Sequence, residues 1–232
     1  MLYSDAQRTL RQCASPAKAK ILRAFFKTGA GQYGEGDIFI GVKVPEIRAI
    51  SRRFKDLDLK TILKILHSPV HEDRLLALLI LIKQYQTGTI STQRIIVKLY
   101  LKHTLYINNW DLVDLTAPKI IGDWLKNKDR GLLNKLAHSK NMWERRIAIV
   151  ATHAFIREEQ FIDTFRIAQT LMHDKEDLIH KATGWMLREA GKRNMSVLKK
   201  FLNSRHTFMP RTMLRYAIER FPDQERQTYL KK

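Results

Sequence analysis

Residues 108–115 read Asn-Asn-Trp-Asp-Leu-Val-Asp-Leu, one tryptophan and two carboxylates inside an apolar helical run. Residues four apart share a helix face, so Trp110 and Asp114 are presented together while Asp111 points elsewhere. A carboxylate beside an indole suits a reaction in which positive charge develops on the substrate, because both groups attract it. Asp114 sits between Val113 and Leu115, where an ionised group costs free energy unless it is paired or opens onto a polar cleft. A salt bridge to a neighbouring repeat, with Arg146 as partner, is the alternative to the cleft. Asp111, in the first turn, is accounted for by the helix dipole and needs no chemical role.

Other chemistries find less support. The glycine-rich stretch GAGQYGEGDIFIGVK has the Gly36 to Gly41 spacing of a phosphate loop, but Val42-Lys43-Val44 follows where Lys and Ser/Thr belong. It reads as a loop that packs on the first helices and leads into a helix near Pro45. His67 and His71 straddle Pro69 and the other histidines are scattered, so no local ligand pair for a metal is expected. Nothing resembles a nucleophile elbow. The single cysteine, Cys13, excludes an intramolecular disulfide and any cysteine-based zinc site.

These residues sit in a chain with a formal charge of +19 and a pI of about 10.1, far more basic than solubility requires. A polyanionic partner follows, nucleic acid before an anionic membrane. The longest apolar run, LLALLILI, is well short of the roughly 20 residues of a membrane span, and the N-terminus lacks the apolar core of a signal peptide. A cytoplasmic monomer is the expectation.

Most of the chain shows apolar residues at spacings of three and four between short Gly, Pro, Asn or Ser breaks, which predicts an all-α fold. Ser15-Pro16 and Ser68-Pro69 read as helix starts, and Asn109 as the cap of the helix carrying Trp110. Only DIFIGVKV, at 37–44, has a strand-like pattern. The segments DRLLAL, WDLVDL, RRIAIV, HKATGW and LRYAIE align at Ala77, Val113, Ala148, Ala182 and Ala217, at intervals of 36, 35, 34 and 35. Such a period predicts an α-solenoid of stacked helix pairs. Its inner helices would line a concave basic face, with Arg74, Arg145, Arg146, Lys181, Arg211 and Arg215 near that wall. Trp124 and Trp143 read as packing residues, whereas Trp185 divides evenly between core and cleft.

The segments GEGDIFIGVKVPEIRAISR, NNWDLVD, WERRIAIV, HKATGWMLREAGK and MPRTMLRYAIERF, in that order, together resemble the DNA alkylation repair family of AlkD-like glycosylases. The resemblance covers nearly the whole chain. It implies a single domain of HEAT-like repeats over 1–232, with N-terminal helices and the Gly-rich loop to about 44 and repeats from about 45, holding duplex DNA on a positive concave face, and excision of cationic alkylpurines of the 3-methyladenine and 7-methylguanine types without metal or cofactor. It also implies reading from the backbone side with no enclosing base pocket. Carried over, the catalytic aspartate falls on Asp114, the cleft tryptophans that would flank the sugar on Trp110 and Trp185, and the cleft arginine, expected to hold a phosphate, on Arg146, with Phe25 a looser match for an aromatic of the early helix. The phosphate contacts are expected from Arg145, Lys181, Arg188, Lys192, Arg211 and Arg215, with Lys43 and Arg48 from the first segment.

Alkylation at N3 or N7 makes the purine cationic and its departure leaves positive charge at C1′, so a carboxylate aimed there and two indole faces would suffice. Two further classes fit the same composition. One is a HEAT-like DNA-binding protein without excision, the other a solenoid scaffold for RNA or an acidic protein.

Overall fold

The computed structural model describes residues 3–231, and the all-α expectation holds: no strand forms among them. The helices are α1 (Tyr3–Gln12), α2 (Pro16–Phe25), α3 (Val44–Arg53), α4 (Leu59–Leu66), α5 (His71–Thr87), α6 (Ile90–Lys102), α7 (Trp110–Ala117) and α8 (Asp123–Leu125). There follow α9 (Gly131–Ala137), α10 (Met142–Ala151), α11 (His153–Ile156), α12 (Ile162–Thr170), α13 (Asp177–Arg193), α14 (Met195–Asn203), α15 (Arg211–Ala217) and α16 (Asp223–Leu230). The chain divides into two compact units, and the division falls inside α7, between Leu112 and Val113.

The first unit is built on α5. Its run from Leu75 to Ile82 is buried on every side, which is why the segment shows little amphipathic contrast although it is helical. Helices α3, α4 and α6 pack on it. Pro16 opens α2 and the Ser15 hydroxyl accepts the Lys18 amide, as the sequence predicts. The second expected start is displaced. Helix α5 begins at His71, because Ser68 turns its hydroxyl to the Val70 amide and the Asp73 carboxylate and stays in the preceding turn.

The strand-like DIFIGVKV makes only one isolated bridge, Ile38 to Val70. Its backbone is satisfied instead by Glu72, whose carboxylate accepts the amides of Ile40, Gly41 and Val42. Gly41 lies at φ +83° against α2, and a Cβ there would stand 2.1 Å from the Ser15 carbonyl oxygen. Only glycine permits that approach, so the loop packs on the early helices as expected.

In the second unit α13 is the central element, against α10, α12, α14 and α15. Gly184 lets α13 meet α15 closely, since a Cβ would sit 2.4 Å from the Met213 carbonyl oxygen. The repeat is visible in both units: Ala77, Val113, Ala148, Ala182 and Ala217, spaced as the sequence aligns them, are each buried on a packed helix, the first four within it and Ala217 at its last residue. Trp143 is buried as expected. Trp124 is not wholly in the core; it is half-buried, with the Lys128 ammonium 3.8 Å from its ring centroid.

Candidate functional site

Helix α7 delivers the candidate residues. The Asn109 side-chain oxygen accepts the Trp110 amide at 2.8 Å, and its amide group donates to Asp37 at 3.2 Å, so the start of the helix is tied into the first unit. The Trp110 ring stacks on Phe26, with centroids 5.2 Å apart, and Phe25 meets it edge-on at 5.9 Å. Its indole N–H donates to the Tyr33 hydroxyl. Phe25 itself is 61% exposed. One face of the tryptophan is therefore backed by phenylalanine, and its orientation is fixed by a hydrogen bond.

Asp111 is not a simple helix-dipole residue. Its Oδ2 is 2.8 Å from His71 Nε2, while His71 Nδ1 is 3.1 Å from Asp37 Oδ2. Asp37 in turn accepts Arg74 Nη2 at 2.6 Å. Arg74, expected near a DNA-facing wall, is 4% exposed and neutralises this buried carboxylate instead. The Phe39 ring stacks on His71 with centroids 4.5 Å apart. Burial pulls the His71 pKa down, but the Asp111 and Asp37 carboxylates outweigh it and raise the value from 6.5 to about 8.

That shift has a consequence for stability. Protonated His71 is favoured in the folded state, so its contribution is complete below pH 6.5 and disappears as pH rises through 8; the difference is worth about 2 kcal/mol. At roughly 2–4 °C per kcal/mol for a chain of this size, the melting temperature should fall about 4–8 °C more between pH 6 and 9 than that of His71→Gln. Equal slopes in a thermal-shift series would contradict the protonated pair.

In the second unit, Asp114 forms a two-pronged pair with Arg146, Oδ1 to Nε at 2.9 Å and Oδ2 to Nη2 at 2.8 Å. Arg146 Nη1 donates to the Leu178 carbonyl oxygen at 2.6 Å. The arginine is 5% exposed. Three of its five N–H donors are thereby committed, so it orients Asp114 rather than standing open to a phosphate. The aspartate side chain keeps 17% of its surface exposed, so the carboxylate is held but not sealed.

Trp185 is half-buried on α13, between the two readings the sequence left open. Its indole N–H donates to Glu189 Oε1 at 3.1 Å, and its ring lies 6.2 Å from that of His153. Burial raises the Glu189 pKa, but Lys192 and Arg188 overcome this and hold it low. Burial depresses His153, which favours its neutral form.

Most of the expected phosphate-binding cations have partners within their own unit. Arg145 forms a bidentate pair with Asp174, at 2.6 and 3.1 Å, and also donates to the Ser139 and Lys140 carbonyls. Lys181 pairs with Asp177, Lys192 with Glu189, and Arg188 with Glu219. Arg211 donates to the Leu230 carbonyl oxygen. Arg215, Lys43 and Arg48 are exposed. Sequence reasoning missed Tyr33, Asp37, His71, His153 and Glu189, whose partners lie four to 77 residues away. Among the described residues no three His, Cys, Asp or Glu side chains are grouped to hold a metal ion, and no helix is long and apolar enough to cross a membrane.

No curated protein sequence matches the chain at a significant level. A solved structure of a predicted DNA alkylation repair enzyme from Enterococcus faecalis is similar with a TM-score of 0.70 at 17% identity, covering 90% of this chain and 97% of its own. At that identity the likeness speaks for the fold, an all-α helical repeat. Residues 6–221 match the family model described as DNA alkylation repair enzyme, a span that takes in both units and every candidate residue from Phe25 to Arg215. With the family model matched over nearly its whole length, the chain belongs to the family of DNA alkylation repair enzymes.

Proposed function

We propose that the chain is a DNA glycosylase that removes N3- and N7-alkylated purines from duplex DNA without a metal. The observation that carries this reading is Asp114: a carboxylate fixed bidentately by a buried arginine on a side chain that keeps 17% of its surface exposed. Preorganisation of this kind stabilises charge without reorganisation during reaction.

The alkylated base leaves with the electron pair of its bond to C1′, so positive charge grows on the sugar. Asp114 stabilises that charge, a water oxygen adds at C1′, and the carboxylate accepts the proton that the water gives up. Trp110 and Trp185 supply indole faces for cationic species, each worth about 0.5 to 2 kcal/mol. Arg146 holds the carboxylate in its reactive orientation. Exposed Lys43, Arg48 and Arg215 bind phosphate, and the surface pairs of Lys181 and Lys192 exchange their carboxylates for phosphates at little cost, because such pairs are worth about 0–1 kcal/mol.

Release of 7-methylguanine from a duplex carrying one such lesion, with EDTA present, tests the reading; intact substrate after a long single-turnover incubation would favour a DNA-binding protein without excision. The role of Trp185 is separable. Trp185→Ala should lower the excision rate with little change in the salt dependence of binding. Loss of a half-buried indole also costs stability, up to the roughly 3–5 kcal/mol of a core tryptophan, so melting is measured alongside. Lost activity that merely follows the unfolded fraction would make Trp185 a packing residue.

A further inference from the structure

A trough of about 840 Å³ opens in the second unit between α12 and α14, two helices that both pack on α13, and no residue of the candidate site lines it. Its lining is largely aromatic: the Phe165 and Phe201 rings stack with centroids 5.0 Å apart, and Phe161 lies 6.4 Å from Phe165. Phe161 and Phe165 are only half-buried, and Ile162, between them in the chain, is 83% exposed. Contiguous apolar surface of this kind, bordered by charged groups, marks a place that a partner covers.

The charges around the trough are divided by side. Asp163, on α12, is neutralised by Arg130 at 2.8 Å. On the α14 side, Lys200 is exposed and in no ion pair among the described residues, and the Arg205 guanidinium lies 4.8 Å from the Phe201 ring centroid, hydrogen-bonded to the neutral Gln169 and Ser204. On the other side, just before α12, Glu159 is exposed at φ +57°, a left-handed conformation in which glycine or asparagine is usual. Carboxylates of both Glu159 and Asp163 in the lining suit a nucleic-acid backbone poorly. An extended peptide also fits badly, because no strand forms among the described residues and no sheet edge is there to pair with its amides and carbonyls. A helix satisfies its own backbone and lays one apolar stripe into a groove.

We propose that this trough docks an amphipathic helix of a partner protein, with its apolar stripe on Phe161, Ile162 and Phe165, an acidic flank beside Lys200 and Arg205, and a basic residue beside Glu159. The opposite charges on the two sides fix which way round the helix lies. The surface is independent of the glycosylase reading, since it shares no residue with that site.

Fluorescence anisotropy of the full-length chain with a labelled synthetic helix tests the surface. The probe carries leucines at spacings of three and four, glutamates along one flank and as many lysines along the other, so that the +19 charge of the chain exerts no general attraction. Saturable binding tighter than about 0.1 mM is expected, and a copy with serine for leucine should not bind. Ile162→Ser should weaken binding about tenfold and Lys200→Glu about fivefold, whereas Lys98→Glu, exposed on α6 in the first unit, should leave it unchanged. Glu159→Gly separates docking from folding: glycine relaxes the positive φ, so the variant should melt at or above the wild-type temperature while binding the probe about two- to threefold more weakly. No binding to the wild-type chain, or binding that Ile162→Ser, Lys200→Glu or Glu159→Gly leaves intact, overturns the proposal. So does a labelled single-stranded oligonucleotide whose affinity falls in Lys200→Glu and rises in Glu159→Gly, which makes the trough a nucleic-acid groove. A wild-type dimer in sedimentation that Ile162→Ser dissociates overturns it too, giving the surface to a second copy of the chain.

Discussion

Duplex affinity should fall about a thousandfold between 50 and 200 mM salt. A chain with a formal charge of +19 that neutralises about 6 phosphates releases their counterions, which gives a log–log slope near −5. The structure bears on which cations contribute. Lys43, Arg48 and Arg215 are exposed, and Lys181 and Lys192 are partly exposed and paired with Asp177 and Glu189. Arg145, bound bidentately to Asp174 and to two carbonyls, is far harder to recruit. Arg215→Ala or Lys43→Ala should therefore each reduce the slope by about one, and Arg145→Ala should act mainly on stability. A slope flatter than about −2 in a fluorescence-anisotropy titration would favour a scaffold for protein partners.

What was legible in the sequence follows the range of the interactions. The repeat could be read because it is written in local composition: a small or branched residue about every 35 positions marks where one helix packs on another, and all five such residues are buried. The Asp114–Arg146 pair was accessible as one of two alternatives, since apolar neighbours on both sides of Asp114 demanded a partner or a cleft. The structure combines them in a held carboxylate whose side chain stays partly exposed. Asp111 was misread for the opposite reason. The helix dipole is a local and sufficient explanation for a first-turn carboxylate, and nothing local reveals that His71, 40 positions earlier, lies against it. Arg74 failed likewise, because its partner Asp37 comes from a loop whose glycines and alternating pattern suggest something else. The loop's anchoring by Glu72 is also long-range, a carboxylate meeting amides 30 to 32 residues away.

Asp114→Asn should lose about 100-fold or more in excision rate. One preorganised electrostatic group is worth roughly 2.7 to 4 kcal/mol in the transition state, and asparagine keeps the shape while removing the charge. Its cost is not only catalytic. Arg146 is buried, and an amide turned towards it offers one acceptor and one donor where two acceptors stood, so part of the guanidinium is left unpaired. Breaking such a pair can cost about 3–5 kcal/mol, and the comparison belongs at a temperature where both proteins are fully folded. Arg146→Ala should show the converse: the charge of Asp114 remains but its orientation does not, with a fall in both melting temperature and rate. Duplex affinity of Asp114→Asn should be retained, since removing a negative charge from a basic surface does not weaken phosphate binding.

The most direct measurement is single-turnover release of 7-methylguanine from a duplex with one lesion, in EDTA, comparing wild type with folded Asp114→Asn. The account predicts release by the wild-type chain and a loss of about 100-fold in the variant; a variant rate within about threefold of wild type would contradict the assignment of Asp114 as the group that stabilises the departing charge.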